Sequence, residues 1–430
     1  MPARKQAWQA ESPLHVLSLL VLFLVNVLNF YDRQALGAVA EPLRREFHLS
    51  DTQLGALTTV FTVLYAVAGV PLGRLADTRS RRRLLAIGTT VWTALTGLGG
   101  LAGSYAALMA TRLGVGIGEA VCAPAATSWI GDLVPPGRRA RAMAFFMMAV
   151  PVGGMLSFAV TGPVAQVRGW RAALALAAAP AVVLVPALLW LQEPGGGGRE
   201  AGIGRPRLGG GVRDLLGVPA FWWIVVSGAI VNFALYSFST FVPAFLTRFH
   251  GLSVGQAGFW AGIGSGVAGI AGALAVTIFG DRAGAARGRM LLAGAAAVLA
   301  APLAFLAIRQ PAGAACAAIV LMMAAYGLLQ TYYGLVYAAI QDLVPAGLRG
   351  TAMGTYFMAM YLCGASFGPL LTGGLSDHVA RAAAGSGALT EAARAIGLRQ
   401  AMYVIPALSL VLGAALWAGG RAAARECRPG

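Results

Sequence analysis

The sequence predicts an all-α membrane protein with twelve transmembrane helices in two pseudo-symmetric six-helix bundles. Three observations lead there. Of the 430 residues, 58% are hydrophobic and only 11% are charged, whereas a soluble chain carries about 25% charged residues. A soluble core of this size could not hide so much apolar surface, so lipid is the expected solvent. Twelve stretches are long and apolar enough to cross a hydrocarbon core, which takes about 20 residues of helix. Finally, the two halves of the chain echo each other in order and in letters.

The twelve expected spans, in order, are 14–38, 52–73, 84–103, 106–131, 141–166, 172–191, 219–246, 256–279, 289–308, 312–340, 350–374 and 400–420. They must be helical, because lipid offers backbone groups no hydrogen-bond partner. Span 1 follows Arg4 and Lys5 and runs on into Asn29, Asp32 and Arg33. It is too long for the apolar core of a cleaved signal peptide and reads as a retained helix. Span 2 opens with LSDTQLG (49–55), and span 3 follows a basic loop. Span 4 carries Arg112 and Glu119, and span 5 holds VPVGG (150–154). Span 8 opens with LSVGQAG (252–258) and carries Gly262, Gly266 and Gly269, small residues that let membrane helices pack closely. Span 11 contains GASFGPLLTGG (364–374).

The internal echo is specific. Residues 132–143 read DLVPPGRRARAM and residues 342–353 read DLVPAGLRGTAM, eight of twelve identical at an offset of 210. The LSDTQLG and LSVGQAG segments match at an offset of 203, which also aligns Asn29-Phe30 with Asn232-Phe233. The expected division is 1–191 for the first bundle, 192–218 for a linker rich in Gly and Pro, and 219–430 for the second bundle.

The net charge is +16, but its placement argues against nucleic acid. With the N-terminus in the cytoplasm, 21 basic residues fall on the inner side and 9 on the outer side, with Arg33 and Arg112 inside spans. That bias is an orientation signal and puts both termini in the cytoplasm. The four cysteines form no CxxC pair, and no disulfide, metal or cofactor is expected. His15, His48, His250 and His378 lie near membrane boundaries or outer loops without a nucleophile or metal partner at a recognisable spacing, so an enzyme is not expected.

Asp32, Arg33, Arg112 and Glu119 stand within spans, where ionisable groups are costly and usually functional. Asn26, Asn29 and Arg33 recur at helical spacing as a polar stripe on span 1, with Asp32 adjoining. Arg112 and Glu119, seven apart, share a face of span 4. Spans 1 and 4 are expected to face one cavity, with Asp32 near Arg33 and Arg112. Burial disfavours a charged carboxylate and a nearby Arg favours it. A carboxylate under both influences can exchange a proton as water access alternates; a static ion pair fixing helix register is the alternative. The second half offers Asn232, Tyr236, Gln330, Tyr333, Tyr337, Phe357 and Tyr361. These fit either an apolar or amphipathic ligand or aromatic packing between helices.

The loop GRLADTRSRRRL (73–84) resembles the loop signature of the major facilitator superfamily, with Thr78 and Ser80 departing from it. Two parallel six-span repeats are also that superfamily's arrangement. The resemblance implies gating roles for Gly73, Asp77, Arg81 and Arg82, for Asp281 in the reduced second copy, and for Asp132, Arg139, Asp342 and Arg349 in the repeated loop. Gly73 is expected to allow a close helix contact. The segments NFYDRQALGAV (29–39) and RLGVGIGEAVCAPA (112–125) resemble spinster-type transporters. That resemblance implies proton-linked export of lysolipids, with Asp32 and Glu119 as protonation sites. It also implies that Arg33 is the partner of Asp32, and that Arg112 meets Glu119 or an anionic head group. A transporter of small polar metabolites or drugs is the alternative, and a non-transporting receptor a weaker one. The expected partners are an amphipathic substrate, protons and the bilayer, and the expected form is a monomer. Ala-rich composition with Arg in place of Lys suggests a bacterial inner membrane.

Overall fold

The computed structural model describes residues 13–193, 215–280, 282–345, 348–385 and 387–426. Residues 194–214, most of the expected linker, lie outside the described residues. Regular structure among the described residues is helical throughout.

Ten helical stretches are long and apolar enough to cross a membrane. One of them, Arg141–Trp190, is two spans in sequence. It breaks at Gly169, whose φ of 83° suits a residue without Cβ. Arg81–Gly99 is a further span; three arginines at its start lower its mean hydropathy. Among the described residues the total is therefore twelve. Spans 1, 2 and 3 are Pro13–Ala38, Asp51–Thr78 and Arg81–Gly99. Span 4 is Tyr105–Glu119 continued by Cys122–Leu133. Span 5 is Pro136–Met147 followed by Ala149 to Gly169, and span 6 ends with Ala181–Trp190. Spans 7 to 10 are Pro219–Arg248, Val254–Phe279, Ala286–Arg309 and Ala315–Leu343. Span 11 runs from Arg349–Ala359 through a π-helical turn, Met360–Ala365, into Phe367–Ala384. Span 12 is Val404–Glu426.

Even span number places Pro13 and Glu426 on one side, called the terminal face below; the other is the distal face. Two short helices on the distal face were not expected: Ala40–Phe47, between spans 1 and 2, and Glu391–Ala401, before span 12. Spans 2 and 11 also continue beyond their expected ends. Charged tails with helical periodicity extend these elements past the apolar stretch that a hydropathy reading measures.

The sequence echo has a structural cause. In both copies its Ser and Gln form a capping box. The Gln53 backbone N–H donates to Ser50 Oγ at 3.1 Å, and the Ser50 N–H donates to Gln53 Oε1 at 2.9 Å. Gln256 N–H donates to Ser253 Oγ at 3.2 Å, and Ser253 N–H to Gln256 Oε1 at 3.1 Å. The second echo behaves alike: Arg139 Nε donates to the Val134 carbonyl at 3.0 Å and Arg349 Nε to the Val344 carbonyl at 3.2 Å. Ser50→Ala and Ser253→Ala should each cost about 0.5–2 kcal/mol, read as a lowered Tm in detergent; equal losses would reflect the equivalence of the two boxes.

The halves pack along the distal side through spans 2 with 11 and 5 with 8. The last residues of the two echoed segments, Gly55 and Gly258, sit at these seams. A methyl on Gly55 would overlap the Pro369 carbonyl, and one on Gly258 would meet the Phe158 carbonyl oxygen at 2.9 Å.

Candidate functional site

Span 1 packs chiefly against span 5, and its polar residues turn to spans 3, 4 and 5. Consecutive residues on a helix point about 100° apart, and Asp32 and Arg33 therefore part company. Arg33 Nε donates to Glu119 Oε2 at 2.9 Å, with both side chains at most 4% exposed. Asp32, fully buried, accepts from the Thr96 hydroxyl of span 3 at 3.3 Å. Arg112 Nη2 donates to the same Thr96 oxygen at 3.2 Å. The expected Asp32–Arg33 pair is thus corrected: Arg33 pairs with Glu119, and Arg112 reaches Asp32 through a threonine.

Arg33 marks the border between the halves. Its guanidinium carbon lies 4.0 Å from the centre of the Tyr65 ring and 4.7 Å from that of Phe30, at cation–π distance. Tyr65 of span 2 meets Tyr361 of span 11 edge-on at 5.5 Å, and Tyr361 meets Tyr236 of span 7 at 6.5 Å. From there an aromatic surface continues through Tyr333, Tyr337 and Phe357, with ring centres 5.6–5.8 Å apart. These tyrosines and Phe357 are half-buried.

The three asparagines do not line an open space. Asn26 donates to the Phe146 carbonyl at 3.1 Å, tying span 1 to span 5. Asn232 donates to Gly228 O at 2.9 Å and accepts from Tyr333 at 3.0 Å. Asn29 is buried beside Glu119. Gln330 donates to the Tyr326 hydroxyl at 3.0 Å. Asn26 and Asn232 are corrected from cavity-lining to helix-tying residues, since each spends its amide on a neighbouring backbone or tyrosine. Tyr65, Thr96 and Tyr326 were missed: each is one of several uncharged polar groups on its helix, and only its partner in the packed bundle singles it out.

On the terminal face, the ion pairs seen among the described residues join elements of the same half. Arg81 binds Asp132 at 2.5 Å and Glu193 at 3.0 Å. Arg289 binds Asp342 at 2.5 Å in the matching place. Glu193 also accepts from the Ser80 hydroxyl and the Arg81 N–H, so it caps span 3. Burial would raise the Glu193 pKa, but these bonds outweigh it and the carboxyl is held below its usual range. Arg82 donates to the Leu191 carbonyl at 3.1 Å. Gly73 makes no close helix contact here, as a methyl on it would sit 3.8 Å from Pro124 Cβ. The Asp77 side chain and all of Asp281 lie outside the described residues.

On the distal face the ion pairs cross between halves. Arg248, at the end of span 7, donates to Glu41 Oε2 at 2.7 Å and to Asp51 Oδ2 at 2.9 Å. Arg44 binds Glu41 at 2.7 Å and Glu391 at 2.6 Å. Asp377 of span 11 accepts the backbone N–H groups of Asp51 and Thr52 at 2.9 and 2.8 Å. It therefore caps a helix of the opposite half, where negative charge is favoured. Burial alone would raise the Glu41 pKa, but hydrogen bonds and charge from Arg44 and Arg248 bring it down to about 2. Glu46 instead accepts from Trp170 Nε1 at 2.6 Å and pairs with Arg171, holding the short helix Ala40–Phe47 to the first half.

Two six-helix bundles, latched on one membrane face around a buried ionic cluster, define a secondary-transporter architecture. Residues 22–369 match the family model described as Major Facilitator Superfamily, and the chain belongs to that family. This makes it a membrane transporter rather than an enzyme. An MFS-type efflux pump of Mycolicibacterium smegmatis (strain ATCC 700084 / mc(2)155) is 33% identical over 419 residues, 95% of this chain and 91% of that protein. The sphingosine-1-phosphate transporter SPNS2 of Danio rerio is 28% identical over 237 residues, 53% of this chain and 47% of that protein. Matches to spinster proteins span less than half of those proteins' length. The fold is similar to the crystal structure of a bacterial homolog of the human lysosomal transporter spinster, inward-facing and unoccupied. The TM-score is 0.84 at 25% identity, covering 98% of this chain and 100% of that one.

Proposed function

We propose that this chain is a proton-coupled transporter that exports lysolipids or similar amphipathic molecules by alternating access. The observation that carries this reading is the meeting at Arg33 of an ionic cluster and an aromatic surface. Asp32, Arg112 and Glu119 lie in the first half, and Tyr236, Tyr361 and Tyr333 in the second. One side suits a charged head group, the other an apolar tail. The likeness to a sphingosine-1-phosphate transporter supports the same substrate class.

Two bundles, 1–191 and 219–430, rock about the central cluster. The excess of arginine marks the terminal face as cytoplasmic, so a seal on the distal face corresponds to the inward-facing state. Asp32 and Glu119 exchange the coupled proton. The terminal-face residues Gly73, Asp77, Arg81, Arg82, Asp132, Arg139, Asp281, Asp342 and Arg349 act as the cytoplasmic gate, which closes when the distal one opens. The chain works as a monomer in a bacterial inner membrane.

The test is uptake of a labelled lysophospholipid into proteoliposomes, with and without an imposed pH gradient. Wild type should show gradient-dependent uptake, and Asp32→Asn should bind substrate but lose the response to the gradient. No lysolipid uptake by folded protein under either condition would remove the substrate assignment. A second reading, efflux of amphipathic drugs, is favoured by the full-length likeness to an efflux pump. Dye efflux that a lysolipid fails to compete with would select it.

A further inference from the structure

Asp32 is fully buried and sits inside the first bundle rather than on the border where Arg33 lies. Its surroundings are therefore protein, and they decide whether it is charged. The charged groups facing it are Arg112 and Glu119, both on span 4; Tyr31, beside it on span 1, is a further titratable neighbour. None of these is its hydrogen-bond partner among the described residues. That partner is Thr96, on span 3. Asp32 Oδ1 accepts no hydrogen bond from the described residues.

We infer that Thr96 is the positioning residue for the proton step, a hydroxyl rotor that reports and sets the charge of Asp32. The inference rests on the proton-coupled reading above. A threonine hydroxyl has one hydrogen to give and two lone pairs to receive with. The Arg112 guanidinium can only donate, and it occupies one lone pair at 3.2 Å. While Asp32 is ionised, the hydroxyl hydrogen points at Oδ2 and passes the pull of Arg112 on to the carboxylate. When Asp32 takes up a proton, the carboxyl O–H becomes a donor. The second lone pair of Thr96 then receives it, and the threonine hydrogen turns away to a carbonyl one helical turn back, a common threonine bond in helices. The coupled proton stays on Asp32 throughout; Thr96 only reorients. Arg112 keeps its bond in both states, so span 4 is not disturbed by the titration. No other side chain on span 3 is seen bonding both groups, and an apolar residue of the same shape could do neither task.

The test compares wild type, Thr96→Val, Thr96→Ser and Asp32→Asn in proteoliposomes, reading gradient-driven uptake against pH and gradient-free substrate exchange. Thr96→Val should retain exchange while the midpoint of its uptake–pH profile moves up by about one unit, because the ionised carboxylate has lost a donor. Thr96→Ser should follow wild type. A valine profile that superimposes on wild type, while Asp32→Asn loses its gradient response, would overturn the rotor and leave coupling intact. A gradient response retained by Asp32→Asn would instead remove Asp32 from the coupling, leaving Glu119 as its carrier, and would remove the rotor with it. If Thr96→Val loses both activities, serine decides: restored uptake with the wild-type profile supports the rotor, and continued failure makes Thr96 a packing residue.

Discussion

Arg248→Met should unlock the distal face. Arg248 is the cation shared by Glu41 and Asp51 across the two halves, and its side chain is only 2% exposed. Removing one partner from a buried ion pair typically costs about 3–5 kcal/mol, because the remaining charge is left uncompensated. Here Asp51 loses its paired cation and Glu41 its partner from the other half, and parting the halves lets water reach Asp51. The cost therefore falls on the closed state and should shift the equilibrium by at least about a hundredfold toward distal opening. Distances between spin labels on the helices Ala40–Phe47 and Glu391–Ala401 measure this directly. An unchanged distance distribution would mean that packing, not charge, closes this side. Arg44 would still hold Glu41, so the fold of the first half should survive.

The same ion pairs set a pH window. Glu41 is held at about 2, below the usual 4.5, so its contribution is full above the usual value. It is lost only as pH falls through the folded one. Wild-type closure should therefore be flat from neutral pH down to about 5 and weaken in stronger acid. In Arg248→Met the acid onset should move upward, since one of the two cations that depress Glu41 is gone.

The second large effect is steric. Gly55→Leu with Gly258→Leu should prevent distal closure. At Gly55 the obstacles are the Pro369 carbonyl and the Leu370 nitrogen, and at Gly258 the Phe158 carbonyl and the Gly162 backbone. Backbone atoms in packed helices cannot turn aside as a side-chain tip can. Overpacking costs about 1–3 kcal/mol per site, and the two seams are far enough apart to add. A shift of at least about thirtyfold toward distal opening is expected, with transport falling accordingly. Accessibility of an introduced cysteine to an impermeant thiol reagent checks it. Gly73→Ala is the contrast, since nothing closer than 3.8 Å meets a methyl there; it should leave this state populated.

The number of helices was legible because lipid forces a simple rule on sequence: about 20 apolar residues per crossing. The repeat was legible because capping boxes and the Arg139 and Arg349 backbone bonds need particular residues at fixed spacing. Asp32, Arg33, Arg112 and Glu119 stood out because charge is rare at that depth. Their pairing was not legible. Neighbours in sequence suggested Asp32 with Arg33, whereas helix geometry sends the two to different sides, and only the packed bundle brings Glu119 and Thr96 to them. The distal latch was missed for a related reason. Glu41, Arg44, Asp51, Arg248, Asp377 and Glu391 lie at span ends, where charge is ordinary. Nothing in one chain's sequence says that ends 347 residues apart, as in Arg44 and Glu391, touch. The close helix contact expected at Gly73 is not made in this state, where a methyl there would lie 3.8 Å from Pro124 Cβ.

The ionic cluster and the latch differ in which bodies they join. Arg33–Glu119 and Asp32–Thr96–Arg112 stay inside one half, while Arg248, Arg44 and Asp377 bridge both. Rocking can then proceed without dismantling the cluster, and the cluster can be altered without touching the bridge. Recognition and resting preference become separately heritable traits. A descendant could change the residues around Arg33 while keeping the distal seal, or lose that seal through one distal arginine while keeping the cluster.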